Sequence, residues 1–209
     1  MEHQDNVLKT GTTTVALVCK DGVVLAADRR ATAGYVANKH TVKILQIAPN
    51  MAITTAGTVS DIQLLAKLIQ AEIRLKDLHV NRSSNTKEVA NMLAGMLYHN
   101  LRRFMPGIAA FLLGGYDDTG AHAYQLSPDG AMMEVQDYAS DGSGCVFALG
   151  VLETVYKKNM TVEEGVKVAM QAVNAALQRD IYSGNGINVV TLTNKGVETV
   201  LEKEINIGL

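Results

Sequence analysis

Apolar positions along the chain fall into two kinds of run. Short, nearly continuous apolar stretches bounded by turn residues come in blocks, and longer stretches at helical spacing come in pairs. Thr13 to Cys19 reads as a strand, Lys20-Asp21-Gly22 turns it, and Val23 to Ala27 returns as a hairpin partner. Asp28-Arg29-Arg30 is an abrupt charge cluster at a strand end, and Ala31-Thr32-Ala33-Gly34 reads as a loop. Val42 to Ile47 and Met51 to Ala56 are two more strands around the Pro49-Asn50 turn, after which Gly57 opens a transition into helix.

From about Asp61 to Leu78, Ile62, Leu65, Leu68, Ile69, Ile73 and Leu75 recur at helical spacing. Asn85 to Glu88 is a capping box opening a second helix, with Val89, Met92, Leu93, Met96, Leu97 and Leu101 on one face. Three strands follow: Ile108 to Leu113, His122 to Leu126 and Ala131 to Val135. They are separated by the turns Asp117-Asp118-Thr119-Gly120 and Ser127-Pro128-Asp129-Gly130. Asp141-Gly142-Ser143-Gly144 precedes a helix from Cys145 to Tyr156, and the capping box Thr161 to Glu164 opens another, to about Arg179. After the tight loop Ser183-Gly184-Asn185-Gly186, a last hairpin runs Ile187 to Thr193, turns at Asn194-Lys195-Gly196 and returns through Leu201.

Strands joined by short turns make antiparallel sheets. No strand–helix–strand alternation supports a doubly wound sheet. Each helix pair can cover one sheet face, and apolar strands need cover on both sides. The expected fold is therefore α+β: a four-layer αββα sandwich of two antiparallel sheets clad by helix pairs, in one domain without a linker or repeat.

Composition narrows the function. The 209 residues carry a formal net charge of −2, and lysines and arginines are scattered, which argues against a nucleic-acid or anionic-membrane surface. Cys19 and Cys145 are far apart and belong to no metal or redox spacing, so a reducing cytoplasmic setting is the simple expectation. The amino-terminal leader has no apolar core of a signal peptide, and the apolar run Ile108 to Leu113 is too short to span a bilayer.

The candidate chemistry lies in Thr10-Gly11-Thr12-Thr13-Thr14-Val15. Taken alone, the run reads as a strand. If the chain were cut after Gly11, however, Thr12 would carry a hydroxyl and a free α-amine. Such an amine titrates near ~7.7–8.0, so one residue would supply both nucleophile and base. The β-branch holds the hydroxyl in few orientations. Asp28 and Lys43, shortly after, have a role beside it. An ammonium ~4 Å away at an effective dielectric of ~20 interacts with a charge by about 4 kcal/mol, enough to lower the pKa of the threonine groups. Other chemistries lack their patterns. There is no HExxH, no P-loop and no paired Cys/His spacing. Asp141 breaks a GxSxG elbow around Ser143, and Gly142-x-Gly144 lacks a third glycine. No cofactor or metal is expected.

These residues resemble the β subunits of the proteasome core particle, most closely the archaeal type. The motifs are Gly11-Thr12-Thr13-Thr14-Val15, Lys20 to Thr32 (KDGVVLAADRRAT), Thr54-Thr55-Ala56-Gly57, Gly142-Ser143-Gly144, Gly150-Val151-Leu152-Glu153, and Arg179-Asp180 followed by Ser183-Gly184-Asn185-Gly186. They run in family order over nearly the whole chain.

The resemblance implies the N-terminal-nucleophile hydrolase fold, which agrees with the pattern reading. It also implies a threonine endopeptidase that cuts unfolded proteins inside stacked seven-membered rings of β and α subunits, fed by an ATPase unfoldase through the α ring. Residues 1–11 would be a propeptide removed by autocatalytic cleavage between Gly11 and Thr12, leaving residues 12–209 as the peptidase domain. Thr12 would be the nucleophile and its amine the base, with Asp28 and Lys43 a charged pair. The Gly57 N–H would be the oxyanion donor, and Ser143, Asp180 and Ser183 would support the amine. Ala31, Thr55 and Val59 would line the pocket for the substrate side chain, and Thr32 would bind substrate backbone. Ala31 and Thr55 are small, so cleavage after apolar residues is expected.

The Gly34 to Lys43 loop is one residue shorter than usual for the family. The lysine is placed at Lys43 by its flanks, with Lys39 the competitor. Cys145 and Asp141 stand beside Ser143 where serine and threonine are usual. Two other readings stay open: a bacterial-type threonine protease paired with an ATPase, and a β subunit that builds the ring without being processed.

Overall fold

The computed structural model describes residues 11–104 and 106–204. Met1 to Thr10, most of the leader read above, lies outside the described residues.

Two five-stranded antiparallel sheets form the centre. In the first, β1 (Thr14–Cys19) and β2 (Gly22–Asp28) form a hairpin around Lys20 and Asp21. They are flanked by β10 (Tyr138–Asp141) on one side, and by β11 (Gly186–Thr193) and β12 (Gly196–Glu204) on the other. The second runs in chain order: β5 (Ile44–Ala48), β6 (Met51–Gly57), β7 (Ala109–Asp117), β8 (Gly120–Leu126) and β9 (Met132–Val135).

Period-two alternation sends apolar side chains to both faces of each central strand. On β1 and β2, Val15, Leu17, Val24 and Ala26 face the helix layer, while Ala16, Val23, Leu25 and Ala27 face the other sheet. On β6 and β7, Met51, Ile53, Phe111 and Leu113 face helices, and Ala52 and Leu112 face the first sheet. The sheets approach closely: a Cβ on Gly114 would sit 2.9 Å from Val23.

Helices α1 (Val59–Val80) and α2 (Thr86–Leu101) cover the second sheet through Leu65, Ile69, Ile73, Val89, Leu93 and Leu97. Helices α3 (Cys145–Val155) and α4 (Val162–Leu177) cover the first. The buried stripe of α4 is made of small residues, among them Gly165, Ala169, Ala172 and Ala176. It therefore rides close to the sheet, and a Cβ on Gly165 would meet Cys19 Sγ at 2.6 Å. Both expected capping boxes form. Glu88 N–H donates to Asn85 Oδ1 at 2.8 Å and Asn85 N–H to Glu88 Oε2 at 3.1 Å. Thr161 and Glu164 do the same at α4. The αββα sandwich is as the pattern predicts.

The local differences from that pattern are physical. The stretch read as a loop after Arg30 contains a small ribbon, β3 (Ala31–Thr32) with the exposed β4 (Val36–Asn38), which is too short to show alternation. β10 was not expected either. Its Tyr-Ala-Ser-Asp sequence is polar, and it is held by pairing with β1. The strand predicted from Val42 starts at Ile44, leaving Val42 exposed and Lys43 buried. Helix α1 begins at Val59, before Asp61, and α4 ends at Leu177 rather than Arg179. Among the described residues, no helix is long and apolar enough to cross a membrane, and Cys19 and Cys145 are free thiols.

Candidate active site

One end of the sandwich gathers the start of β1, the ends of β2, β6 and β10, and the start of β11. Thr13 follows Thr12 and pairs with Asp28: Asp28 N–H donates to the Thr13 carbonyl at 3.1 Å, and Thr13 N–H donates to Asp28 Oδ1 at 2.9 Å. The other carboxylate oxygen of Asp28 accepts the N–H groups of Arg30 and Gly184, both at 3.0 Å. Asp28 is fully buried, and these bonds replace its lost hydration.

Lys43 enters from the second sheet, just before β5. The Thr55 N–H donates to its carbonyl at 2.9 Å, and the Thr55 hydroxyl at 3.2 Å. Its Nζ lies 2.7 Å from Asp28 Oδ1, 3.2 Å from Thr12 Oγ1 and 3.0 Å from the Gly11 carbonyl oxygen. Burial pushes the Lys43 ammonium below the ordinary lysine range. The neighbouring Asp28 carboxylate pulls the other way without cancelling that effect. Lys39, its competitor, is exposed on the loop.

Thr12 is buried, and its hydroxyl donates to the carbonyl of Gly11 at 2.7 Å. Its N–H donates to Ser143 Oγ at 3.2 Å. Ser143 in turn donates to Asp180 Oδ2 at 2.6 Å, and Ser183 donates to the same oxygen at 2.6 Å. Of the three residues expected to support the Thr12 nitrogen, Ser143 touches it and Asp180 stands behind Ser143. Ser183 reaches the Thr13 hydroxyl instead, at 2.7 Å. Thr13 is thus a member of the cluster that sequence reasoning missed, because a threonine that opens a strand looks the same whether or not its hydroxyl is used.

Glycines fit where the backbone is crowded. A Cβ on Gly11 would fall 1.8 Å from Tyr182 Cβ, and one on Gly144 would fall 1.9 Å from Thr13 Oγ1. Gly57 has φ +122°, and a side chain there would meet the Ile108 carbonyl oxygen at 2.3 Å.

A cavity of about 180 Å³ opens beside Thr12. Gly11, Ala31, Thr32, Lys43, Thr55, Gly57 and Val59 line it, so every expected pocket residue meets here. Thr41, Leu45, Ile62 and Gln63 also line it and were not foreseen. They come together only when α1 packs over the second sheet. Two larger depressions, of about 1180 and 940 Å³, lie at the opposite end of the sandwich, around the Pro49-Asn50 turn. Among the described residues, no group of three His, Cys, Asp or Glu side chains is placed to hold a metal ion.

Comparison with known proteins agrees with the geometry. A family model described as "Proteasome subunit" matches residues 8–192. The chain is 43% identical to the proteasome subunit beta of Ferroglobus placidus, over 95% of this chain and 98% of that protein. It is 40% identical to the proteasome subunit beta of Methanopyrus kandleri, over 98% of each. It is 43% identical to proteasome subunit beta 1 of Thermococcus onnurineus, over 93% and 95%. The chain belongs to the proteasome subunit family and, within it, to the β-type subunits.

Proposed function

We propose that this β subunit is a threonine-type endopeptidase that activates itself by cleaving between Gly11 and Thr12. The reading is carried by the placement of Thr12 Oγ1 and Lys43 Nζ together on the Gly11 carbonyl, deep in a buried polar cluster. Before cleavage the Thr12 nitrogen is an amide and has no basic lone pair. Lys43 is the basic group within reach. As an ammonium it donates to Asp28, to the Gly11 carbonyl and to the Thr12 hydroxyl. Loss of one proton leaves a lone pair that can face Thr12 Oγ1.

The Thr12 oxygen attacks the Gly11 carbonyl carbon and its proton passes to Lys43. The proton then goes to the Thr12 nitrogen as the Gly11–Thr12 C–N bond breaks. This leaves an ester on Thr12, and water hydrolyses it to a Gly11 carboxylate, a free hydroxyl and a free α-amine. Residues 1–11 leave as a propeptide and residues 12–209 remain as the peptidase domain.

Substrate peptides follow the same path, with the new α-amine as base and Ser143 oriented to hold it. Gly57, on the cavity wall, is the backbone donor to the oxyanion. Ala31, Thr55 and Val59 shape the side-chain pocket and Thr32 pairs with substrate backbone. Small and apolar walls suit cleavage after apolar residues. The family places the subunit in a particle with other subunits. The arrangement we propose is the stacked β and α rings, cytoplasmic, receiving unfolded polypeptide from an ATPase through the α ring.

Thr12→Ala tests the mechanism in the assembled particle. Loss of both leader removal and hydrolysis of apolar peptide substrates is expected. Leader removal that persists in Thr12→Ala removes Thr12 as the nucleophile.

A further inference from the structure

Gly11 is held at more points than the mechanism uses. Its carbonyl accepts from Lys43 at 3.0 Å and from the Thr12 hydroxyl at 2.7 Å. Its N–H donates to the side-chain hydroxyl of Thr32 at 2.9 Å, in a buried contact. On its third side the backbone passes Tyr182 with no room for a Cβ. A glycine has two soft dihedrals and the widest choice of them. Fixing the N–H at one end and the C=O at the other restricts both. Without the N–H anchor, the carbonyl can swing away from Thr12 Oγ1 about an unrestrained φ. Reaction requires the approaching atoms to stay aligned at contact distance.

The Thr32 hydroxyl is placed by the β3–β4 ribbon. Thr32 pairs with Val36, and Ala33 N–H closes the turn on the Tyr35 carbonyl at 2.9 Å. We infer that the Thr32 side-chain hydroxyl is the anchor that sets the Gly11 carbonyl for self-cleavage. This rests on the self-cleavage reading above. It differs from the contact of Thr32 main chain with substrates, because the main chain is unchanged when the hydroxyl is removed. Thr32 is a positioning residue: it acts on the scissile carbonyl through Gly11.

The test follows intact mass with time in particles assembled with the α subunit. Thr32→Val and Thr32→Ala remove the acceptor and should shed the leader at least about threefold more slowly than wild type, the scale of one lost hydrogen bond. Thr32→Ser restores the acceptor and should stay within about twofold of wild type. Wild-type speed in Thr32→Val, or a Thr32→Ser as slow as Thr32→Val, overturns the inference. Amide exchange at Gly11 in a Thr12→Ala precursor gives a readout that needs no cleavage. Adding Thr32→Val should speed that exchange at least about threefold, and unchanged exchange overturns the anchor. A wild-type chain that never sheds its leader instead sinks the self-cleavage reading, while the exchange measurement still reports on the anchor.

Discussion

Lys43 Nζ lies 2.7 Å from Asp28 Oδ1 with both side chains buried, and this contact joins the two sheets at the site. Asp28 ends β2 of the first sheet and Lys43 precedes β5 of the second. Removing either partner would strand a buried charge, a change that costs about 3–5 kcal/mol. Informative variants must therefore keep the charge.

Lys43→Arg keeps the cation but cannot lose its proton. The variant should fold and assemble yet shed the leader at least roughly 100-fold more slowly, the scale of general-base catalysis. Lys39→Ala, on the exposed loop, should process like wild type. Time-resolved intact mass distinguishes them; normal processing in Lys43→Arg would remove the lysine from the role of base.

Self-cleavage should quicken as pH rises. The Lys43 pKa is depressed by burial, so at low pH the ammonium has no lone pair to take the Thr12 proton. The rate should climb through the depressed pKa and level off below the ordinary lysine value of ~10.4. Stability has the same sign. Between the two pKa values the unfolded chain binds the extra proton, so raising pH favours the folded state over that window. Single-turnover processing of purified precursor across pH reads the first effect, and a rate that falls with pH contradicts it.

Ser143 is exposed and accepts the Thr12 N–H, so Ser143→Ala should leave folding intact. In the mature enzyme it should lower kcat about tenfold with little change in KM, because the amine loses orientation rather than the pocket losing shape. Steady-state hydrolysis of a fluorogenic apolar peptide measures both constants. An unchanged kcat would mean that Asp180 and the backbone orient the amine without Ser143.

Asp117 tests stability away from the chemistry. Its Oδ2 accepts the Thr86 N–H at 2.8 Å and the buried Thr86 hydroxyl at 2.7 Å, fixing the start of α2. Burial pushes its carboxyl up, but the bonds donated by Thr119 and Thr86 outweigh that and hold it at about 2. Asp117→Ala should cost about 2 kcal/mol and leave peptide hydrolysis unchanged. The contribution is present above the ordinary carboxylate pKa and is lost as pH falls through the folded value. Urea unfolding at neutral and acid pH checks both, and equal losses at pH 7 and pH 2 would contradict the linkage.

Much of the fold was legible because its signals are local. Asn85 with Glu88 and Thr161 with Glu164 announce their helices three residues at a time. The doubly apolar strands require cover on both faces, which leads to four layers. What escaped is held by partners rather than by pattern. β10 exists because Ser140 and Asp141 find Val15 and Thr14 across the edge of the first sheet. The β3–β4 ribbon, only two and three residues long, positions Thr32 without any apolar alternation. At the site, Thr12, Asp28 and Lys43 stand in recognisable motifs. The Thr13–Ser183 contact, the Tyr182 wall against Gly11 and the Thr41, Leu45, Ile62 and Gln63 side of the cavity join residues far apart in the chain. Only the packed sandwich brings them together.

The most direct test is the amino-terminal sequence of this chain after co-expression with its α subunit and isolation of the assembled particle. A start at Thr12 is expected, with peptidase activity appearing in step. A fully assembled particle whose chain still carries Gly11 would contradict self-activation and leave a ring-building subunit with a latent site.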